Sequence, residues 1–411
     1  MKIAIDSLPQ TGSIFNCSDY SGLQVHLLSN TPMAEAAGDF GFNKSDDAKS
    51  INVTFEKLPF WNNGETVSTE DYLRGFHFAL SNNPFLKELL LRDLIKSSCN
   101  EDSIFFEFKN PQIFSEQILK APCFSPMHYN LIGASSSGPW TFSSLNRNNS
   151  MNFVKNRHNN NDSLDRLQVQ LIKDPVENLE CFLRSQIDIT ADTAFPFFRT
   201  DEIKDLGLNP IKKSVGLLGY FDFSDKLAQE DAQDLRIFIS KIIRQLDTKT
   251  LSNGYYLPSE FLTNNNESNL SSKIENLTMA YDPYYPNKEI CSALAHELEK
   301  HKISVNLVED SFETPFQNYD LKFCIMRSLD TSHYTNLASL IFSKVIKFNK
   351  KLQYEMATLL IKAQRGSSES LKKMEEIYTQ IVPIVPFIKI PSLHLNRFGT
   401  MNPLIRNLVC E

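Results

Sequence analysis

The sequence has 411 residues, of which 41% are hydrophobic and 22% charged, with a net charge of −7 at pH 7. Single hydrophobic cores stop growing near roughly 250–300 residues, so a chain of this length predicts at least two packed units and its ordinary composition excludes large-scale disorder. The negative balance, with no stripe of Lys and Arg interleaved with aromatics, excludes a nucleic-acid surface, which needs an accumulated basic field.

The chain opens Met1-Lys2-Ile3-Ala4-Ile5-Asp6, an alternation that predicts a first strand. Three apolar residues before an acid, followed by Pro9, are too few for a signal-peptide core, so as written nothing exports the chain. The expected location is cytoplasmic if the sequence is native from Met1, and periplasmic or extracellular if a signal peptide has been removed. No apolar run approaches the about 18 residues needed to span a bilayer. The seven cysteines are scattered, odd in number and without Cys-x-x-Cys pairing. They predict reduced thiols rather than a disulfide framework or a zinc site, and neither metal nor cofactor is expected.

Residues 7–50 are polar and give no clear periodicity. Ile51, Val53 and Phe55 alternate with polar neighbours as a half-buried strand does. Ser68 can cap a helix over Leu73, Phe76, His77 and Leu80, with Asp71 placed for a capping box. A strand over 103–108 and a short helix over 111–119 follow. Gly138-Pro139-Trp140 reads as a tight turn, 151–154 and 167–172 as strands, and 176–185 as a helix leading to Ile187-Asp188-Ile189. The apolar run 216–223 is a further strand, and a helix over 234–246 buries Leu235, Phe238, Ile239, Ile242 and Ile243. Strand 277–281, helix 287–301 and strand 303–307 make a crossover unit, so a parallel-rich sheet is expected here. A strand over 319–323, a polar loop over 327–334, helices over 348–363 and 368–381 and an extended end at 384–387 complete the chain.

Gly138-Pro139-Trp140, Asn156, the strand 167–172 and the closing Ile187-Asp188-Ile189 together resemble family 5 extracytoplasmic solute-binding proteins, the oligopeptide, dipeptide and nickel receptors of bacterial transporters. Trp61-Asn62-Asn63-Gly64 through Asp71 and Asp234-Leu235-Arg236 through Asp247 are similar to further patterns of that family, and the likeness covers most of residues 51–403. The resemblance implies an α/β, two-lobed, periplasmic-binding-protein-like fold with a hinge and an interlobe cleft. Lobe I would hold residues 1–215, with 389–411 returning to it, and lobe II residues 216–388. An accessory subdomain that the family carries within residues 7–50 would be trimmed.

The resemblance also implies where a ligand is held. Arg327-Ser328-Leu329-Asp330 follows a strand end, where α/β sheets present binding loops. In peptide-binding members the comparable loop supplies an acid for the ligand's α-ammonium, and Asp330 stands at that position. Arg327 stands where the family pattern has an aromatic, which leaves a carboxylate ligand equally open. Trp140 either borders the cleft or packs within lobe I, and Tyr20 and Ser21 are candidates to line the cleft.

Other motifs carry less. His296 and His301 lie five apart and diverge by roughly 140° on a regular helix, so they share no metal and predict a solvated face. Gly133 to Gly138 lacks the lysine of a phosphate loop, and no set of residues is spaced for nucleophilic catalysis. The expected function is binding of a peptide or peptide-like small molecule by a monomer, as a transporter-type receptor with a membrane transporter as its potential partner. The alternative is an intracellular derivative acting as a ligand sensor or as an enzyme on a peptide-like substrate.

Overall fold

The computed structural model describes residues 1–246, 275–310, 319–327 and 350–408, except 10–11, 18, 84–85, 88–89, 91, 130–134, 147–148, 160–163, 225, 228–231, 382–383, 400–401 and 407. Three sheets organise these residues. In the first, strand Lys2–Ile5 runs parallel to Arg166–Leu171, and strands Ser150–Lys155 and Trp140–Leu145 continue it antiparallel. Ile3, Ile5, Val25, Leu28, Trp140, Phe153 and Val169 form its core.

The second sheet is wholly antiparallel, in the order Phe42–Lys44, Ser50–Thr54, Ser103–Phe108 and Leu94–Cys99. Helix Thr69–Asn82 packs against it through Tyr72, Phe76 and Leu80. That helix starts at the expected capping box: Ser68 Oγ accepts from Asp71 N at 3.2 Å, and Asp71 Oδ2 accepts from Ser68 N at 2.9 Å. Helices Lys350–Gln364 and Ser368–Ile381 contribute Met356, Leu360 and Met374 to the same core.

The third sheet has five strands, ordered Ser304–Glu309, Asn276–Tyr281, Leu321–Arg327, Ile211–Phe223 and Ile384–His394. The first three are mutually parallel, and the crossover helix is Asn287–Lys300, as the strand-helix-strand pattern predicts. The last two are antiparallel additions.

These last two strands also link the third sheet to the first. His394 pairs with Ile211, and two residues beyond it Asn396 bridges Ile189, which bridges Ile3. Between the pairs Leu217–Ile390 and Lys213–Ser392 the register shifts, and Gly216 stands in that irregularity with φ of 71°. A left-handed residue inside a strand is admitted by glycine at little cost, so Gly216 lets the strand bend where it passes between sheets.

Residues 7–50, which gave no clear pattern in the sequence, hold helix Tyr20–Ser29, helix Met33–Ala37 and strand Phe42–Lys44. The first helix escapes a periodicity reading for a physical reason. It buries Ser21, Gly22 and Gln24 together with Val25, Leu27 and Leu28, so no apolar stripe separates from a polar one. The helix carrying His296 and His301 behaves as expected at that end: His296 is exposed, and His301 caps the helix with its ring edge-on to Phe238 at 5.2 Å.

Candidate functional site

A cavity of about 140 Å³ lies where the first and third sheets face each other. One wall is the end of strand Lys2–Ile5 and the start of helix Tyr20–Ser29, with Asp6, Ser7, Asp19, Tyr20, Ser21 and Thr193. The facing wall comes from the third sheet: Asp282, Tyr284, Tyr285 and Asn287 follow one parallel strand, Ile325, Met326 and Arg327 end the next, and Leu217 and Ile390 lie on the linking strands. Carboxyl ends of parallel strands are where α/β sheets present ligand-binding groups, because connecting loops diverge there and leave a crevice.

The first wall is internally satisfied. Asp19 caps its helix by accepting from Gly22 N at 2.6 Å, which a side chain at Gly22 would obstruct. Ser21 Oγ donates to Asp6 Oδ1 at 2.6 Å, and Thr193 Oγ1 donates to Asp6 Oδ2. Tyr20 OH donates to Asp192 Oδ2 at 2.7 Å, where Gln24 Nε2 also donates at 3.2 Å. Burial raises the pKa of Asp6 although both hydroxyls oppose it. Burial and the neighbouring Asp192 hold the Tyr20 phenol neutral, well above its ordinary value. Tyr20 and Ser21 are on the cavity lining, with their hydroxyl protons already committed to Asp192 and Asp6.

The second wall carries charges of both signs, Arg327 and Asp282. Arg327 ends its strand opposite Leu217, and its charge reaches Tyr20 on the first wall. Lys322, one strand face away, bonds Asp310 Oδ2 at 2.7 Å and stands 3.3 Å from Asp282 Oδ1. Burial opposes the Lys322 charge, but Asp310 and Asp282 outweigh it and raise its pKa. Asp282 is raised above the usual carboxylate value by burial, against the pull of Lys322. Burial also raises Tyr284 and Tyr285, so both phenols stay neutral.

Trp140 is 2% exposed in the core of the first sheet and lines neither this cavity nor the larger one described next. Ser328 and Asp330 lie outside the described residues. Asp6, Asp282 and Asn287 were not singled out in the sequence. The signal was present, since Asp6 and Asp282 each follow a strand end and Asn287 opens the crossover helix, the same placement that drew attention to Arg327.

A larger cavity of about 680 Å³ lies wholly within the first half of the chain, lined by Ile14, Phe15, Trp61, His128, Phe142 and Phe153 among others. Size alone would favour it. The smaller one is the better candidate because charged groups meet across it from two sheets, whereas the larger is walled mainly by apolar side chains. The two adjoin along the chain at Ser7 and Leu8.

Among the described residues no three His, Cys, Asp or Glu side chains are grouped to hold a metal ion, and no helix is long and apolar enough to cross a membrane. Cys123 and Cys324 are partly buried thiols, and burial raises both, Cys123 to about 12.

The fold is that of periplasmic binding proteins, two α/β lobes with a cleft between them. Solved structures similar to the chain include the murein tripeptide binding protein MppA of Escherichia coli, at 15% identity and TM-score 0.79, covering 100% of this chain and 97% of that one. A dipeptide binding protein from Pseudoalteromonas sp. SM9913, in complex with Met-Leu, aligns at 14% identity and TM-score 0.79, over 98% and 97%. Haemophilus influenzae OppA in complex with RPPGFSPFR aligns at 14% identity and TM-score 0.76, over 96% and 94%. No family model and no curated protein matches the sequence. At such identities the likeness establishes the fold, and function has to be argued from the site.

Proposed function

We propose that this protein binds a peptide or peptide-like solute in the cavity between its lobes, as a transporter-type receptor of the family 5 solute-binding kind. The observation that carries this reading is the cavity itself, walled by helix Tyr20–Ser29 and by the strand ends around Arg327. The neighbours support it by what they bind: a murein tripeptide, Met-Leu and a nonapeptide. In this reading lobe I comprises residues 1–215 with 389–411, lobe II comprises 216–388, and Arg327, Ser328 and Asp330 anchor the charged ends of the ligand. An arginine fork suits a carboxylate, and an acid suits an ammonium, because either charge left unpaired in a closed cleft is costly. The partner implied is a membrane transporter that receives the loaded form.

Native mass spectrometry of the purified protein for a retained molecule, followed by a melting-temperature screen of di- to pentapeptides, tests the proposal. A ligand that binds only the folded state raises the midpoint. The reading is overturned if no peptide does so and Asp330→Ala alters the binding of nothing that is retained.

A further inference from the structure

The apolar face of the first sheet is covered unevenly. Helix Tyr20–Ser29 contributes Val25 and Leu28 to that core, and Trp140 within it is 2% exposed. Further along the same strand Phe142 is 42% and Leu145 59% exposed, although each is paired across the ladder with a buried residue, Phe153 and Met151 respectively. Cross-strand partners share a face, so the apolar side of the sheet runs on past the part that is covered. The cavity of about 680 Å³ lies over this end, and all four residues line it.

The remaining walls are largely apolar as well. Ile14 and Phe15 come from the short turn Ile14–Asn16, and Trp61 enters from the chain before the capped helix. Trp61 Nε1 donates to Asp71 Oδ2 at 3.4 Å, so its one polar group is spent and the ring serves as an apolar wall. Polar side chains of the lining are committed in the same way. Ser136 Oγ bonds the Trp140 carbonyl at 2.7 Å, Asn30 Nδ2 donates to the His26 carbonyl at 2.8 Å, and His128 Nε2 stands 3.3 Å from Glu65 Oε2. Among the described residues no Asp, Glu, Lys or Arg lines this cavity. A charged ligand would give up its hydration there without meeting a counter-charge, whereas an apolar one gives up only unfavourable contact with water.

We propose that this cavity is a second binding site, which takes one uncharged, predominantly apolar small molecule. Its volume falls within the roughly 300–1,000 Å³ of small-molecule sites and is several times the roughly 150 Å³ that holds a single benzene ring. The described linings of the two cavities share no residue, and none of this one comes from the third sheet. The site is therefore complete without the facing lobe, and it stands whether or not the interlobe cavity takes a peptide. Exposed Phe142 and Leu145 mark the side from which the molecule enters.

The test is titration of the full chain with N-phenyl-1-naphthylamine, an uncharged dye whose emission rises in apolar surroundings, and with 8-anilinonaphthalene-1-sulfonate, which adds a sulfonate to the same ring framework. The uncharged dye should bind once per chain, about tenfold or more tighter than the sulfonate, and 1-decanol should displace it. Phe142→Asp and Leu145→Asp should each weaken it about ten- to a hundredfold, the loss expected when a large apolar contact is removed. Both positions are exposed enough for the variants to fold, which circular dichroism checks. Phe40→Asp, at a residue 93% exposed and outside the lining, should leave the affinity unchanged.

Absence of dye binding, or equal binding of the two dyes by the wild type, overturns the site without calling on any variant. So does unchanged affinity in folded Phe142→Asp and Leu145→Asp, or an equal loss in Phe40→Asp, which would mean adsorption to exposed aromatic surface. A peptide that raises the wild-type melting temperature should bind alongside the dye; if it displaces the dye, the cavity belongs to the solute site and the second site falls. If no peptide binds while the dye behaves as expected, the peptide reading falls and this site stands.

Discussion

At the residue scale, Asp93 is a carboxylate held by three side chains. It accepts from Asn110 Nδ2 at 2.8 Å and from Gln112 Nε2 at 2.9 Å, and it pairs with both Nε and Nη2 of Arg365 at 2.8–3.1 Å. Burial works against this carboxylate, but the Arg365 fork and the two amides outweigh it and lower its pKa. A lowered folded pKa means stability that is present above the ordinary value of 3.8 and is lost as pH falls through the folded value. Arg365→Met leaves Asp93 buried without its cation and should cost about 2–3 kcal/mol by urea denaturation at neutral pH, less than for a fully buried pair because Arg365 is partly exposed. His394 gives the opposite case. It is 1% exposed, neither ring nitrogen has a hydrogen-bond partner among the described residues, and burial lowers its pKa despite Asp192 nearby. The unfolded chain therefore takes up a proton that the folded one refuses, and stability falls as pH drops below the ordinary 6.5 towards the folded value. His394→Leu should flatten this part of the curve, read as denaturation midpoint against pH between about 5 and 7.

At the scale of elements, two glycines hold the architecture for different reasons. Gly138 donates its N–H to the Ser29 carbonyl at 3.0 Å, and a Cβ there would stand 2.6 Å from backbone atoms of Leu28 and Asn30. Helix Tyr20–Ser29 thus packs directly on the turn, and Gly138→Ala should destabilise by about 1–3 kcal/mol in thermal or chemical melts through overpacking. Gly216 is needed for its backbone angle, and Gly216→Val should cost about 1–3 kcal/mol by forcing a β-branched residue into the left-handed region. Because Gly216 lies on the linking strand beside Leu217, which lines the cavity, this variant should also weaken whatever ligand raises the wild-type melting point. The turn over 138–140 was legible in the sequence, as were the capping box and the crossover unit. Trp140 read as turn, yet it opens strand Trp140–Leu145 and fills the core of the first sheet.

For the whole molecule, the arrangement of sheets sets what binding can do. Two linking strands join the lobes beside the cavity, so a ligand touching both walls ties the two sheets together. A peptide that occupies the cavity at a hundred times its Kd should stabilise the fold by about 2.7 kcal/mol, read as a concentration-dependent rise in melting temperature. If the linking strands act as a hinge, the same peptide should reduce the radius of gyration in small-angle scattering, and an unchanged value would mean a preformed cleft.

Local order was within reach of the amino-acid sequence, because periodicity, capping and turn chemistry are written in neighbouring residues. It determined the strand around Ile51, Val53 and Phe55, the capped helix after Ser68, the strand-helix-strand unit over 277–307 and the two-lobed class. Helix Tyr20–Ser29 stayed hidden because its buried side chains are mixed in polarity, and the short strands at 42–44 and 94–99 because pairing rather than pattern creates them. Only the tertiary structure brought Asp6, Tyr20, Asp282, Asn287 and Arg327 around one cavity, since the residues that face each other there are separated by up to some three hundred positions and share no local signal. Whether a buried acid is a cap, a structural acceptor or half of an ion pair depends on which donors the fold places against it. Asp19, Asp6 and Asp282 take those three parts in turn.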